Sequence, residues 1–188
     1  MLLATTFRWW LDVLIDISLA GFSRLTRLKR ALAMSSHVFS EIFLHFNWHT
    51  DGDLPTLTPD VETFTHNYMR NKCRQTKGVF FEEVGGTETH VHLVIRSEPH
   101  VNISEFIGEV KGSSSFETNK HLGRKVLSWQ RGFGVVSFGR KQLEWVCEYV
   151  RNQKDHHRKG TVIDKLERTE EPPEGGPEQQ PESPAEAG

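Results

Sequence analysis

The run THVHLVIR at 89–96 constrains the fold more than any other stretch of this chain. Along an extended strand, side chains alternate between faces, so Val91, Leu93 and Ile95 form an apolar face while His90 and His92 share the opposite one. The apolar side has to pack against another layer. The other side holds two imidazoles close enough to point at one ion.

The flanking pattern alternates strand and helix. HVFSEIFLHFNW at 37–48 places β-branched and aromatic residues in near period two and reads as a first strand. In the turn-rich stretch that follows, Thr58 or Asp60 can serve as a helix N-cap with Pro59 in the first turn. The helix expected over 60–75 puts Val61, Phe64, Tyr68 and Met69 on one face. GVFFEEV at 78–84 and THVHLVIR, separated by Gly85-Gly86, form a hairpin. A second helix is expected to open at Ser104 and end near Gly112. GFGVVSFG at 132–139 is a glycine-bounded strand, and KQLEWVCEYVRNQKDHH at 141–157 is the last helix. The order βαββαβα predicts an α+β fold, a ferredoxin-like, RRM-like βαββαβ sandwich with an additional C-terminal helix that carries Tyr149.

Charge is unevenly distributed. Net charge is only −2, yet from Lys111 to Lys159 there are 11 Lys/Arg against 4 Asp/Glu. Such a basic stretch suits a polyanion. From Glu167 to Gly188 there is 1 Lys/Arg against 7 Asp/Glu, with Pro and Gly and no aromatic. That composition buries too little to order itself, so 167–188 is expected to be a disordered acidic tail. At the other end, Arg8, Asp12 and Asp16 interrupt the apolar residues of 1–33 before the ~18 that a membrane span needs. The basic RLTRLKR lies where a signal peptide would carry its apolar core. The leader is either an extra amphipathic helix or an upstream extension with the functional start at Met34, and 34–166 is the expected domain. Cys73 and Cys147 have neither zinc-site nor disulfide-framework spacing, which fits a reducing cytoplasm.

On the last helix, Tyr149 and Gln153 stand four apart and share a side. A hydroxyl nucleophile then lies beside an oxygen donor able to join His90 and His92 around a divalent ion. Each residue also has a duller role, since a strand histidine is more often a satisfied core or surface group and a helical tyrosine often packs its ring on a sheet. His45, His100 and His121 read as structural or surface residues, and His156 and His157 receive no ligand role.

His-hydrophobe-His on a central strand and Tyr-x-x-x-Gln on a helix occur here with SHVFSEIFLHFNWHT at 36–50, VKGSSS at 110–115, WQRGFGVVSFG at 129–139 and YVRNQKDHH at 149–157. In that order the blocks resemble the single-tyrosine HUH transposases, small enzymes of insertion sequences that act on single-stranded DNA and have REP-associated tyrosine transposases as close relatives. The resemblance spans about Ser36 to Leu166 and favours the Met34 start. It implies that Tyr149 attacks a phosphodiester to give a 5′-phosphotyrosine, and that His90, His92 and Gln153 hold Mg²⁺, with Mn²⁺ as the second choice. Two imidazoles and an amide would by general affinity also suit zinc or nickel. The implied substrate is single-stranded DNA with subterminal hairpins, met in a prokaryotic cytoplasm with no membrane involved. The implied assembly is a homodimer in which Tyr149 serves the histidines of the partner.

For DNA contact, Lys111-Gly112-Ser113-Ser114-Ser115 is expected to form a phosphate-binding loop at the end of the second helix. Arg124, Lys125 and Arg131 supply cations, and Trp129 and Phe133 interleave aromatic surface for base stacking, unless they belong to the core. Two other classes remain open: an HUH replication initiator or relaxase-type nickase, and a non-enzymatic RRM-like nucleic-acid-binding domain.

Overall fold

A computed structural model describes residues 39–169. The expected leader and the tail beyond Thr169 lie outside them. Every element below belongs to one compact unit that begins at Glu41.

Four strands form one antiparallel sheet. They are β1 (Ile42–His49), β2 (Val79–Gly86), β3 (His90–Ser97) and β4 (Gly134–Phe138), in the spatial order β2-β3-β1-β4. Helix α1 (Pro59–Gln75) lies between β1 and β2, and α2 (Ile103–His121) between β3 and β4. Three short helices end the domain: α3 (Leu143–Arg151), α4 (Gln153–Lys159) and α5 (Asp164–Glu167). This is the α+β, ferredoxin-like arrangement expected from the sequence, with the strand order that a split βαβ requires.

The two faces of the sheet divide the core. Leu44, Phe46 and Trp48 of β1 join Val91, Leu93 and Ile95 of β3 and pack on Val61, Met69 and Cys73 of α1 and on Phe106, Ile107 and Val110 of α2. On the other face Val94 packs with Val146, Cys147, Tyr149 and Val150 of α3 and with Leu166 of α5. The sheet is therefore covered on both sides, and His90 and His92 face the C-terminal helices.

Several local expectations need correction. The first strand begins at Ile42. Helix α2 is capped by Asn102, whose side chain accepts from the Glu105 N–H at 3.3 Å, and it runs to His121 rather than stopping near Gly112. Gly108 and Gly112 face open space, so they cost helix propensity but break nothing. Ser113 and Ser115 bond back to carbonyls one turn earlier, and Thr118 reaches Thr65 of α1 at 2.9 Å. The last helix is not continuous, because it breaks at Asn152 (φ −100°, ψ 19°). Gly85 and Gly86 are the last residues of β2, not the hairpin turn, which is Thr87–Thr89.

Gly85 is required by close packing. A Cβ there would stand 2.0 Å from the Val150 carbonyl oxygen of α3. Gly85 pairs with His92 in the register of β2 and β3. The bare glycine thus lets α3, and Tyr149 with it, sit directly on the histidine strand. Gly134 does the same for the segment just after α5, where a Cβ would lie 1.9 Å from the Arg168 carbonyl oxygen.

Candidate active site

Pairing of β1 with β3 sets Asn47 opposite His92 and His49 opposite His90. All four side chains therefore share the face that α3, α4 and α5 cover. His45, two residues before Asn47, completes that polar row, and its Nε2 lies 2.8 Å from His92 Nδ1. The Nδ1 of His90 is held by the Thr87 hydroxyl at 2.9 Å and the Thr89 hydroxyl at 3.3 Å. With both Nδ1 atoms engaged by neighbours, the two Nε2 atoms are free of those partners. Outer partners orient metal-binding imidazoles in the same way.

Burial sets the protonation states. His92 is fully buried and its pKa is lowered by desolvation. Desolvation, followed by the neighbouring His92, brings His90 down to about 4 and His45 to about 3. The imidazoles are neutral at neutral pH and have lone pairs to offer.

Three more groups converge there. Gln153, the first residue of α4, is buried and sets its Oε1 3.3 Å from His90 Nε2. Tyr149 of α3 stands edge-on to His92, ring centroids 6.2 Å apart. Its hydroxyl accepts the Ile163 N–H at 3.0 Å and donates to Glu167 Oε1. Burial, and then the bond to Glu167, push the Tyr149 phenol up to about 12. Glu167 brings its other oxygen, Oε2, to 3.3 Å from His92 Nε2 and 3.6 Å from His90 Nε2. Burial alone would raise the Glu167 carboxyl, but His92, Tyr149 and His90 outweigh it and hold it at about 2. A proton therefore rests on Tyr149 and not on Glu167.

Tyr149, His90, His92 and Gln153 thus come together in a single chain, with Tyr149 against its own chain's His92. The break at Asn152 does not separate Tyr149 from Gln153, because α4 starts where α3 stops and folds Gln153 under the sheet. The donor set fits a divalent ion. His92 Nε2 is buried and aligned for no hydrogen bond, and Gln153 keeps Oε1 directed at the histidines.

The expected DNA-contacting residues fare unevenly. Lys111, Ser113, Ser114 and Ser115 form no loop, since they lie inside α2 with their backbone groups used by the helix. Lys111 donates to the carbonyls of Gln130 (3.0 Å) and Gly132, tying α2 to the following loop. Trp129 donates from Nε1 to Ser114 Oγ at 3.1 Å and meets Trp48 edge-on at 5.8 Å, so it packs against the core while remaining partly exposed. Arg124, Lys125 and Arg131 are exposed on the 122–133 loop.

Sequence reasoning missed Glu167, which it placed at the start of the tail. The apolar Ile163 and Leu166 just before it are the available signal, and Leu166 is buried in the second core. His45, expected to be a structural or surface residue, is buried and supports His92. His157, given no role, sets its Nε2 3.7 Å from Glu167 Oε2. An open pocket of about 360 Å³ lies beside Tyr149, lined in part by Trp145, Asn152 and His156.

Comparison with known proteins gives the family. The model of the IS200-like transposase family matches residues 38–153, and the chain belongs to that family. The transposases of insertion sequence element IS200 from Salmonella typhimurium and Salmonella typhi are each 25% identical to it over 101 residues, which is 50% of this chain. The matched region spans 65% of the length of these relatives. A solved Deinococcus radiodurans structure assigned as a transposase shares the fold with a TM-score of 0.50 and 20% identity, covering 62% of this chain and 94% of its own. The structure of a REP-associated tyrosine transposase bound to a REP hairpin aligns at a TM-score of 0.47 and 15% identity, over 67% of this chain and 73% of its own. Among the described residues, no helix is long and apolar enough to cross a membrane.

Proposed function

We propose that this chain cleaves and rejoins single-stranded DNA at the ends of an insertion sequence, with Tyr149 as the nucleophile. The observation that carries the reading is that the Tyr149 ring, two neutral strand histidines and the Gln153 amide oxygen lie together on one face of the sheet. In the reaction, a bond forms between Tyr149 Oη and phosphorus while the bond from phosphorus to the 3′-oxygen breaks. The phenol loses its proton as the new bond forms, and the departing 3′-oxygen takes one up. The phosphotyrosine retains the energy of the phosphodiester, so a second 3′-OH can reverse the step without ATP.

His90, His92 and Gln153 would hold Mg²⁺ or Mn²⁺. A bound cation would neutralise charge on the non-bridging phosphate oxygens and orient the phosphorus for in-line attack. The chain's own residues do the rest. Thr87, Thr89 and His45 fix the imidazoles, Gly85 sets the height of α3, and Ile163 holds the Tyr149 oxygen by its N–H. Tyr149 is only 3% exposed, so the segment around Ile163 has to move aside for the strand to reach it. Arg124, Lys125 and Arg131 supply phosphate contacts, and the hairpin substrate follows from the family reading.

The homodimer belongs to the same proposal, because β4 is an edge strand that pairs only with β1 among the described residues. The trans arrangement, in which Tyr149 serves the histidines of the second copy, is part of that proposal, while within one chain the Tyr149 ring lies 6.2 Å from that of its own His92. The function is tested with labelled single-stranded hairpin DNA, the full chain and Mg²⁺ or Mn²⁺ on a denaturing gel. A protein–DNA adduct that disappears in His90→Ala/His92→Ala is expected, whereas cleavage at the normal rate by that variant overturns the reading.

A further inference from the structure

The reaction as proposed leaves one partly buried carboxylate unused. Glu167 Oε2 lies 3.3, 3.6 and 3.7 Å from the Nε2 atoms of His92, His90 and His157. Donor atoms on neighbouring positions around a single cation, bound at ~2.1 Å, stand roughly 3 to 3.5 Å apart. One such approach would be an ordinary hydrogen bond to a neutral imidazole. Here three imidazole nitrogens surround one oxygen, and the most buried of them, His92 Nε2, has no aligned partner.

Charge points the same way. His90 and His92 are neutral and Gln153 is an amide, so those three donors bring no negative charge to a divalent ion. Glu167 brings a full one. Its position is fixed by the fold: Leu166 is anchored in the second core, Gly134 leaves room for the Arg168 backbone, and Oε1 is occupied by the Tyr149 hydroxyl.

We propose that Glu167 is itself a ligand of the divalent cation, binding through Oε2 beside His90, His92 and Gln153, with His157 at the rim of the site. This rests on the metal reading given above and extends it. A carboxylate oxygen moves the donor set towards the hard-oxygen shells that Mg²⁺ and Mn²⁺ prefer, and away from a purely nitrogen and amide site. It also places the cation and the nucleophile on the two oxygens of one carboxylate. The site then reaches position 167, beyond the residues 38–153 that the family model matches.

The test titrates MnCl₂ into the full chain without DNA and follows the free-Mn²⁺ resonance signal. It compares wild type with Glu167→Gln, Glu167→Asp and His90→Ala/His92→Ala. Glu167→Gln keeps a hydrogen-bond acceptor for Tyr149 but loses the charge, so binding should weaken at least about tenfold. Glu167→Asp keeps the charge and should recover part of that loss, and melting curves in EDTA verify that both variants fold. Wild-type affinity in Glu167→Gln, with binding lost in the double histidine variant, would overturn the ligand role and leave the histidine site standing. Tighter binding in Glu167→Gln would show that the carboxylate obstructs the site, which also overturns it. Unchanged binding in the double histidine variant would instead remove the metal reading on which this rests.

Discussion

Gly85→Ala is the substitution most informative about how the site is assembled. The added Cβ would lie 2.0 Å from the Val150 carbonyl oxygen, 2.9 Å from its carbon and 3.2 Å from Val150 Cγ1. Ordinary contact needs about 3.4 Å, so α3 has to retreat from the sheet by more than 1 Å, since the obstacle is backbone rather than a movable side-chain tip. The helix that retreats carries Val146, Cys147, Tyr149 and Val150, the centre of the second core. Overpacking of this sort costs about 1–3 kcal/mol, or about 3–9 °C in melting temperature for a domain of this size. Displacing the nucleophile by about 1 Å should cost on the order of 10²-fold in cleavage rate. Gly108→Ala is the control: it stands on the exposed side of α2 with nothing within 4 Å of its Cβ position. It should leave cleavage unchanged and raise stability by about 0.5–1 kcal/mol. Thermal melts and single-turnover cleavage of a labelled strand are the assays. A Gly85→Ala protein that melts and cleaves like wild type would refute the claim that this glycine sets the height of the tyrosine helix.

Other substitutions separate core from surface. Trp129→Ala should destabilise the fold by about 1–3 kcal/mol in urea titrations, because it removes a partly buried indole packed on Trp48. Replacing Arg124, Lys125 and Arg131 with Ala should leave the melting temperature within a degree or two but flatten the salt dependence of DNA binding, measured by anisotropy at several ionic strengths. Burial pushes the Cys73 thiol up to about 12. Its alkylation by iodoacetamide at pH 8 should therefore run about 10³-fold slower in the native protein than in urea, from the loss of thiolate alone. Mixing Tyr149→Phe subunits with His90→Ala/His92→Ala subunits should restore no cleavage if the tyrosine works in cis, while restored cleavage would establish exchange between subunits.

The sequence reveals the sheet and hides the ends of the site. Alternation in β1 and β3 is legible because one face of each strand packs on α1 and α2 while the other carries His45, Asn47, His49, His90 and His92, and Val91, Leu93 and Ile95 declare the core side directly. The pair His90 and His92 and the helix position of Tyr149 are legible for the same reason, as is Gln153, although the break at Asn152 is not. Nothing in the composition of 110–115 distinguishes a serine-rich loop from a helix whose hydroxyls bond back to their own carbonyls, and α2 proved to be the second. Trp129 could be assigned only once Trp48 and Ser114 were seen beside it. Glu167 was lost to its neighbours: its acidic, proline-rich continuation masked a single helical turn anchored by Leu166.

The most direct test of the central claim is the position of the covalent bond. After reaction with single-stranded hairpin DNA and nuclease trimming, tryptic peptides are analysed by mass spectrometry. The account places the nucleotide on Tyr149, within the peptide Gln142–Arg151, linked through a 5′-phosphate and absent from Tyr149→Phe. A nucleotide carried by Tyr68 or by any other residue, or full cleavage by Tyr149→Phe, would contradict it.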